Sequence, residues 1–268
     1  MTRYRNEFIA AFEQHQSILR DTVTTEGMID GQIMTFLVAG SGGASAVTRG
    51  TNGLIPARAD DLSQFQCTLS EQHDLVRRTG FNVFASQGNA QAIMQMSTTS
   101  VLNRKIDSQI INELNTGTVT VGSSGTSPSV SLVQNGKVKL QNASVPWDRN
   151  ITMLCQPGFL AFLEQAPEFT NVQYVDDKLY AGGGRDPAWR DKPTRYMWRD
   201  MMFMSHPNLP GKGTTSGKSF MYHKSAIGHA ADSAGMETPV GYDEEQAYSW
   251  ARVSLNMGAK LLQNTGIV

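Results

Sequence analysis

A chain of 268 residues has room for one large domain or two modest ones, and 40% hydrophobic content is enough to build a true core. Charged residues make up 18%, and the formal net charge of −1 gives no global electrostatic drive toward nucleic acid or an anionic membrane. Cys67 and Cys155 lie far apart without CxxC spacing, which excludes a cysteine-only zinc site and a disulfide framework. Both read as small buried hydrophobes in a reducing compartment.

In chain order, Phe8, Ile9, Phe12 and Leu19 mark one face of a short amphipathic helix ending near Arg20. This stretch has no signal-peptide apolar centre, and no segment approaches the ~20 apolar residues of a membrane span. The expectation is a protein made and used without crossing a membrane. Met28 to Ala39 is apolar, with β-branched and aromatic residues. Gly40 to Ser45 (GSGGAS) then breaks the pattern as a joint. That run is not a dinucleotide fingerprint, because Ser45 stands where the third glycine belongs.

Next comes the longest alternating pattern in the chain. Phe65, Cys67, Leu69, Leu75, Phe81 and Val83 alternate with Gln66, Thr68, Ser70, Gln72, Asp74, Arg78 and Asn82, so one face is apolar. Strands usually stop after ~5–6 residues. One of ~20 residues would span roughly 65 Å at ~3.3 Å per residue, more than a compact domain offers, so it must bend, break or project. Two readings stand open: one long arm laid on a neighbour, or two strands with a break near Glu71–His73. Val47 to Ala57 is the expected upstream partner, with Asn52-Gly53 as a turn signal and Pro56 favouring an edge.

Gly88-Asn89 caps a helix expected from Ala90 to Asn115, with Leu102, Ile106, Ile110 and Leu114 at i+4 spacing and Gly117 as its C′ residue. It would run roughly 38 Å at ~1.5 Å per residue. TGTVTVGSSGTSPS reads as a loop or hairpin, Ile151–Cys155 as a buried strand, and Pro157 as the start of a short helix that stops before Pro167. Val172–Val175 and Tyr196–Met204 read as strands around the loop AGGGRDPAWRDKPTR. The last strand alternates Ala251, Val253, Leu255, Met257, Ala259 and Leu261 with Trp250, Arg252, Ser254, Asn256 and Lys260.

Chemistry-bearing patterns are weak. Gly211 to Ser219 (GKGTTSGKS) fails as a P-loop, because Lys212 occupies the position that needs glycine. His206, His223 and His229 match no zinc spacing. Asp176-Asp177 and Asp243-Glu244-Glu245 read as solvated turns. Arg185, Trp189, Arg190, Lys192, Arg195, Tyr196, Trp198 and Arg199 interleave aromatics with cations, which suits base stacking or a protein interface. Near-zero net charge favours the interface.

The element order resembles that of the major capsid proteins of tailed bacteriophages, a fold shared by encapsulins. The resemblance is carried by RGTNGLIP (Arg49–Pro56), NVFASQGN (Asn82–Asn89), LNRKIDSQIINEL and YSWARVSLNMGAKLLQNTGIV, and it covers nearly the whole chain. It implies an α+β fold with an N-terminal arm (1–44), an extended β-hairpin loop (45–86), a peripheral domain with a spine helix (87–119), a mixed α/β axial domain (120–228) and a return to the peripheral domain (229–268). The implied function is self-assembly, through hexameric and pentameric capsomers, into an icosahedral shell around double-stranded DNA. Scaffolding protein and portal are the implied partners; no enzyme activity, cofactor or metal is expected. The implied location is the virion, after synthesis in the bacterial host cytoplasm. Alternatives are an encapsulin-type compartment or, less favoured, a nucleotide- or nucleic-acid-binding domain.

Some family members cross-link a loop lysine to a neighbour's asparagine. Here the first lysine is Lys105, so the arm's grip should be non-covalent. The expected inter-subunit contacts are Arg49, Arg58, Asp60, Asp61, Glu71, Asp74, Arg77 and Arg78 as charged pairs, Phe65 and Leu69 as the apolar face, and Trp189, Arg190, Arg195 and Trp198 from the aromatic patch. Exposed ion pairs contribute only ~0–1 kcal/mol each, so they would set register more than adhesion.

Overall fold

The computed structural model describes residues 14, 16–27, 29, 31–41, 43–58, 61–80, 90–123, 125–170, 195–232 and 236–268. The Val172–Val175 strand and the expected N-terminal helix up to residue 13 lie outside them; residues 16–19 are not helical, and Arg20–Thr22 make a short 3-10 turn.

The final strand, β11 (Tyr248–Leu261), forms as its alternation requires. Its odd residues Ala251, Val253, Leu255 and Met257 are buried. They pack on the 25-residue helix α1 (Ala90–Leu114), whose Leu102, Ile106, Ile110 and Leu114 form the facing row of the same core. β9 (Ile227–Ala231) and β10 (Val240–Asp243) run antiparallel to β11 along one edge. β4 (Ser70–Thr79) covers the other edge over ten residue pairs, Tyr248↔Thr79 to Met257↔Ser70. β1 (Thr24–Glu26) closes the sheet beside β9.

The long alternating segment is one near-continuous strand run. β3 (Asp61–Thr68) and β4 are separated by Leu69 alone. The expected apolar face does not persist along it. Phe65, Cys67 and Leu69 point into a small core with Ala230 and Leu262. Beyond Leu69 the half-buried positions are Gln72, Asp74, Val76 and Arg78, while Leu75 is exposed. The run leaves one sheet and joins another at Leu69, and the buried parity switches there.

Two further expectations are corrected. Val47–Ala57 forms no strand, and β3 pairs instead with β2 (Ile33–Gly40), from Ile33↔Thr68 to Gly40↔Asp61. The physical reason is core burial: Met34, Phe36 and Val38 alternate toward the small core, whereas the Val47–Ala57 segment carries Gly50, Gly53 and Pro56. The β2–β3 hairpin thus spans residues 33–68. Tyr196–Met204 is also a hairpin, β6 (Arg195–Trp198) and β7 (Met201–Ser205). Arg199 and Asp200 make its two-residue turn at φ 50° and 64°, the left-handed pair that matches strand twist.

The remaining sheet has the order β6-β7-β5-β8, with β5 at Ile151–Cys155 and β8 at Phe220–His223. Every β5 residue is buried because both faces are covered. Leu154, Met204, Phe220 and Tyr222 face the α1 core, while Ile151, Met153, Phe203 and Met221 face α2 (Val130–Asn142) and α3 (Pro157–Gln165). Helix α2 follows the expected loop, over residues to which the sequence reading assigned no element. Ser129 caps it, its side chain accepting the Leu132 N–H at 3.3 Å.

Gly258 sits where β11 crosses the β3–β4 joint. A Cβ there would stand 2.7 Å from the Thr68 carbonyl oxygen and 2.9 Å from Cys67 Sγ. Gly258→Ala should therefore cost about 1–3 kcal/mol through overpacking, read as a lower urea midpoint at unchanged m-value.

Candidate subunit-interaction surfaces

The β2–β3 hairpin is two-faced. Met34, Phe36, Phe65 and Cys67 pack inward, while Ile33, Leu37 and Leu62 are exposed on the outer side. At its end the chain makes a compact loop. The Gly53 N–H donates to the Gly50 carbonyl at 2.9 Å, and the Gly50 N–H to the Leu54 carbonyl at 3.1 Å. Gly53 has φ +70°, which favours glycine. The loop leaves Val47 59%, Leu54 74% and Ile55 66% exposed. Single exposed apolar residues are ordinary, but three together on a projecting tip are the composition of a contact surface.

The predicted contact residues separate into groups. Arg49 and Arg58 are exposed on the tip, and Asp61, Glu71 and Arg77 are exposed along β3 and β4. Glu71 meets His73 at 3.2 Å, and the Arg77 guanidinium lies 5.0 Å from the Tyr248 ring centroid. Asp74 and Arg78 are half-buried on the opposite parity. Burial raises the Asp74 carboxyl, with Arg104 partly offsetting it. The charged residues therefore do not form one continuous ion-pair row.

Two predicted contacts are corrected: Leu69 and Trp198 are core. Leu69 is covered by its own chain, and Trp198 is 1% exposed, with its indole N–H donating to the Glu168 carbonyl at 3.1 Å. Its ring packs edge-on against Phe169 and Phe203. Phe65 is half-buried in the small core, and Arg195 is ion-paired with Asp21 at 2.8 Å. Asp60, Trp189, Arg190 and the rest of the aromatic patch before Arg195 lie outside the described residues.

The remaining motifs serve structure. Lys218 Nζ donates to Asn115 Oδ1 at 2.8 Å, and strand β8, not a helix, follows Ser219. A phosphate would find no helix N-terminus there. His223 Nδ1 takes the Ser225 N–H at 3.2 Å and the Ser225 hydroxyl at 2.7 Å, so its Nε2–H donates to Asp148 at 3.0 Å. These distances look like those of a nucleophilic triad, but the imidazole caps the short 3-10 turn Lys224–Ala226. Among the described residues no His, Cys, Asp or Glu group could hold a metal, and no helix is long and apolar enough to cross a membrane.

Sequence reasoning missed a buried polar anchor. Asp107 on α1 is 1% exposed. Its carboxylate accepts Ser17 Oγ at 2.5 Å, the Ile18 N–H at 2.9 Å, the Leu19 N–H at 3.2 Å and the Gln14 side-chain amide. His206 Nε2 lies 3.5 Å away. Burial alone would raise the Asp107 pKa. The nearby His206 imidazole and the hydrogen bonds from Ile18, Ser17 and Leu19 outweigh it and hold the carboxyl below its ordinary range. The anchor ties residues 14–19 to the long helix. An acid on an otherwise regular helix gives no sequence signal for such a role.

A family model described as phage capsid protein matches residues 1–268. Solved structures agree in fold. Mycobacterium phage Che8 is similar at a TM-score of 0.73, with 14% identity over 100% of this chain and 95% of that one. The capsid of Ralstonia phage GP4 gives 0.71, with 9% identity over 100% and 93%. A virus-like particle from Pyrococcus furiosus gives 0.59, with 12% identity over 95% and 91%. No curated protein matches. The family match makes this a capsid protein, a structural protein and not an enzyme. The chain belongs to the phage capsid protein family.

The buried polar groups make stability pH-dependent. Burial, with the Arg20 charge second, pulls the fully buried His229 down to about 4, against the pull of Asp107. The unfolded chain binds this proton near pH 6.5. Between about pH 6.5 and 4 it therefore carries more protons than the folded chain, and stability falls as pH drops. Going from pH 7 to 4.5 should cost about 2–3 kcal/mol from this residue alone. His229→Leu should flatten that slope in urea titrations. Asp107→Asn should cost about 2–4 kcal/mol at neutral pH and make residues 14–19 protease-sensitive. In the wild type this anchor weakens only as pH falls below the ordinary carboxyl range.

Proposed function

We propose that this chain is a major capsid protein that self-assembles into an icosahedral shell around double-stranded DNA. The observation that carries the reading is the β2–β3 hairpin, whose outer face and tip expose apolar and cationic side chains that the described part of the chain leaves uncovered. Buried in a neighbour, such side chains give up apolar surface to the interface instead of to water. In this reading α1 is the spine helix. With β4, β9, β10 and β11 it makes the peripheral domain, and the β5–β8 sheet with α2 and α3 makes the axial domain. Residues 33–68 are the extended loop that lies on an adjacent subunit within hexameric and pentameric capsomers. Scaffolding protein, portal and packaged DNA are the remaining partners. The protein is made in the bacterial host cytoplasm and ends in the virion.

An encapsulin-type compartment is the second reading. The likeness to the Pyrococcus furiosus virus-like particle favours it, at the lower TM-score of 0.59. Nuclease-protected DNA in particles purified from infected cells supports the viral reading, and co-purified protein cargo without DNA supports the compartment.

The direct test is expression of the full chain, alone and with candidate scaffold, followed by sedimentation and negative-stain microscopy. Closed particles are expected. Replacing residues 43–58 with a short Gly-Ser turn should leave a folded chain, since β3, β4 and β11 are retained, yet abolish particles. A wild-type chain that stays monomeric under every condition contradicts the proposal.

A further inference from the structure

The β3–β4 run has differently charged features at its two ends. At one end is the tip with Arg49, Arg58, Leu54 and Ile55, all exposed. At the other, Thr79 pairs with Tyr248, and the Gly80 N–H donates to the Ala247 carbonyl at 3.2 Å. That second end is the β10–β11 turn. Asp243 is occupied within it, its carboxylate accepting the Glu245 and Gln246 N–H groups at 3.0 and 3.1 Å. Glu244 and Glu245 are exposed. Beside them Tyr242 is exposed on β10, which stands last in its sheet and pairs with β11 alone among the described strands.

We infer that the tip of one subunit docks on the β10–β11 turn of the next, Arg49 and Arg58 meeting Glu244 and Glu245 while Leu54 and Ile55 cover Tyr242 and the β10 edge. This deepens the shell reading and rests on it. The occupant is a second copy of this chain for two reasons. Two guanidinium groups beside apolar side chains match two carboxylates beside an exposed aromatic in both charge and character. In addition, roughly 60 Å of strand contour, at ~3.3 Å per residue, separates the two features along the chain. Two different patches at opposite ends of one subunit make a head-to-tail contact, and head-to-tail contacts that close generate rings. A ring-shaped capsomer is the closed form of such a contact.

The test is a charge swap in the full-length chain. Arg49→Glu with Arg58→Glu, and separately Glu244→Lys with Glu245→Lys, should each lower the particle fraction in sedimentation at least tenfold. Combining all four should restore most of it. All four positions are exposed, and a circular-dichroism melt within a few degrees of wild type confirms each fold. Arg49→Ala with Arg58→Ala should also make assembly less sensitive to sodium chloride. If wild type forms particles and neither reversal affects them, or the combination fails to rescue, the contact is wrong while the shell reading stands. If wild type forms no particles, both fall together.

Discussion

Strand β11 pairs along its 14 residues with β4, β9 and β10, and its odd side chains are buried against α1. A slip of one residue would turn Val253, Leu255 and Met257 to water and carry Arg252 and Asn256 into the core. This register fixes much else. It places β4 on one edge and therefore aims the β3–β4 run. It brings Gly258 against Thr68 and Cys67, where the run changes sheets. It also sets Tyr248 beside Thr79 and so locates the acidic turn at the far end of that run.

The hairpin that projects from this sheet is anchored at its base and exposed at its tip. Phe36, Cys67 and Leu69 secure the base in a small core of their own, while Leu54 and Ile55 face outward. Low charge density fits that division. A shell subunit is held by many modest contacts repeated in register, and strong global charge would oppose packing like beside like. The hairpin tip carries arginines and no lysine, so in the proposed shell its contacts would rest on burial and paired charge.

Strongly periodic elements were legible in the sequence. The i+4 row Leu102–Leu114 and the β11 alternation gave both elements and their buried faces nearly residue for residue. What failed depended on contacts distant in sequence. Met34, Phe36 and Val38 outcompete Val47–Ala57 for β3 because their alternation meets Ala230 and Leu262, nearly two hundred residues away. The parity switch at Leu69 was hidden because Ser70–Asp74 contains no apolar residue to mark it. Helix α2 was hidden by Val, Gly and Asn, weak helix formers, although Ser129 supplied its cap. Trp198 looked like an interface anchor from its arginine neighbours and proved to be core. The buried Asp107 anchor and the buried His229 had no sequence signature, because each is defined by what folds over it.

The proposed shell requires the hairpin tip to become buried in another copy of the chain. Hydrogen exchange of residues 43–58, compared between isolated subunits and assembled particles, measures this most directly. Exchange at the tip should slow at least tenfold on assembly, with β11 already protected in both states. Equally fast exchange at the tip in particles and free subunits would contradict it.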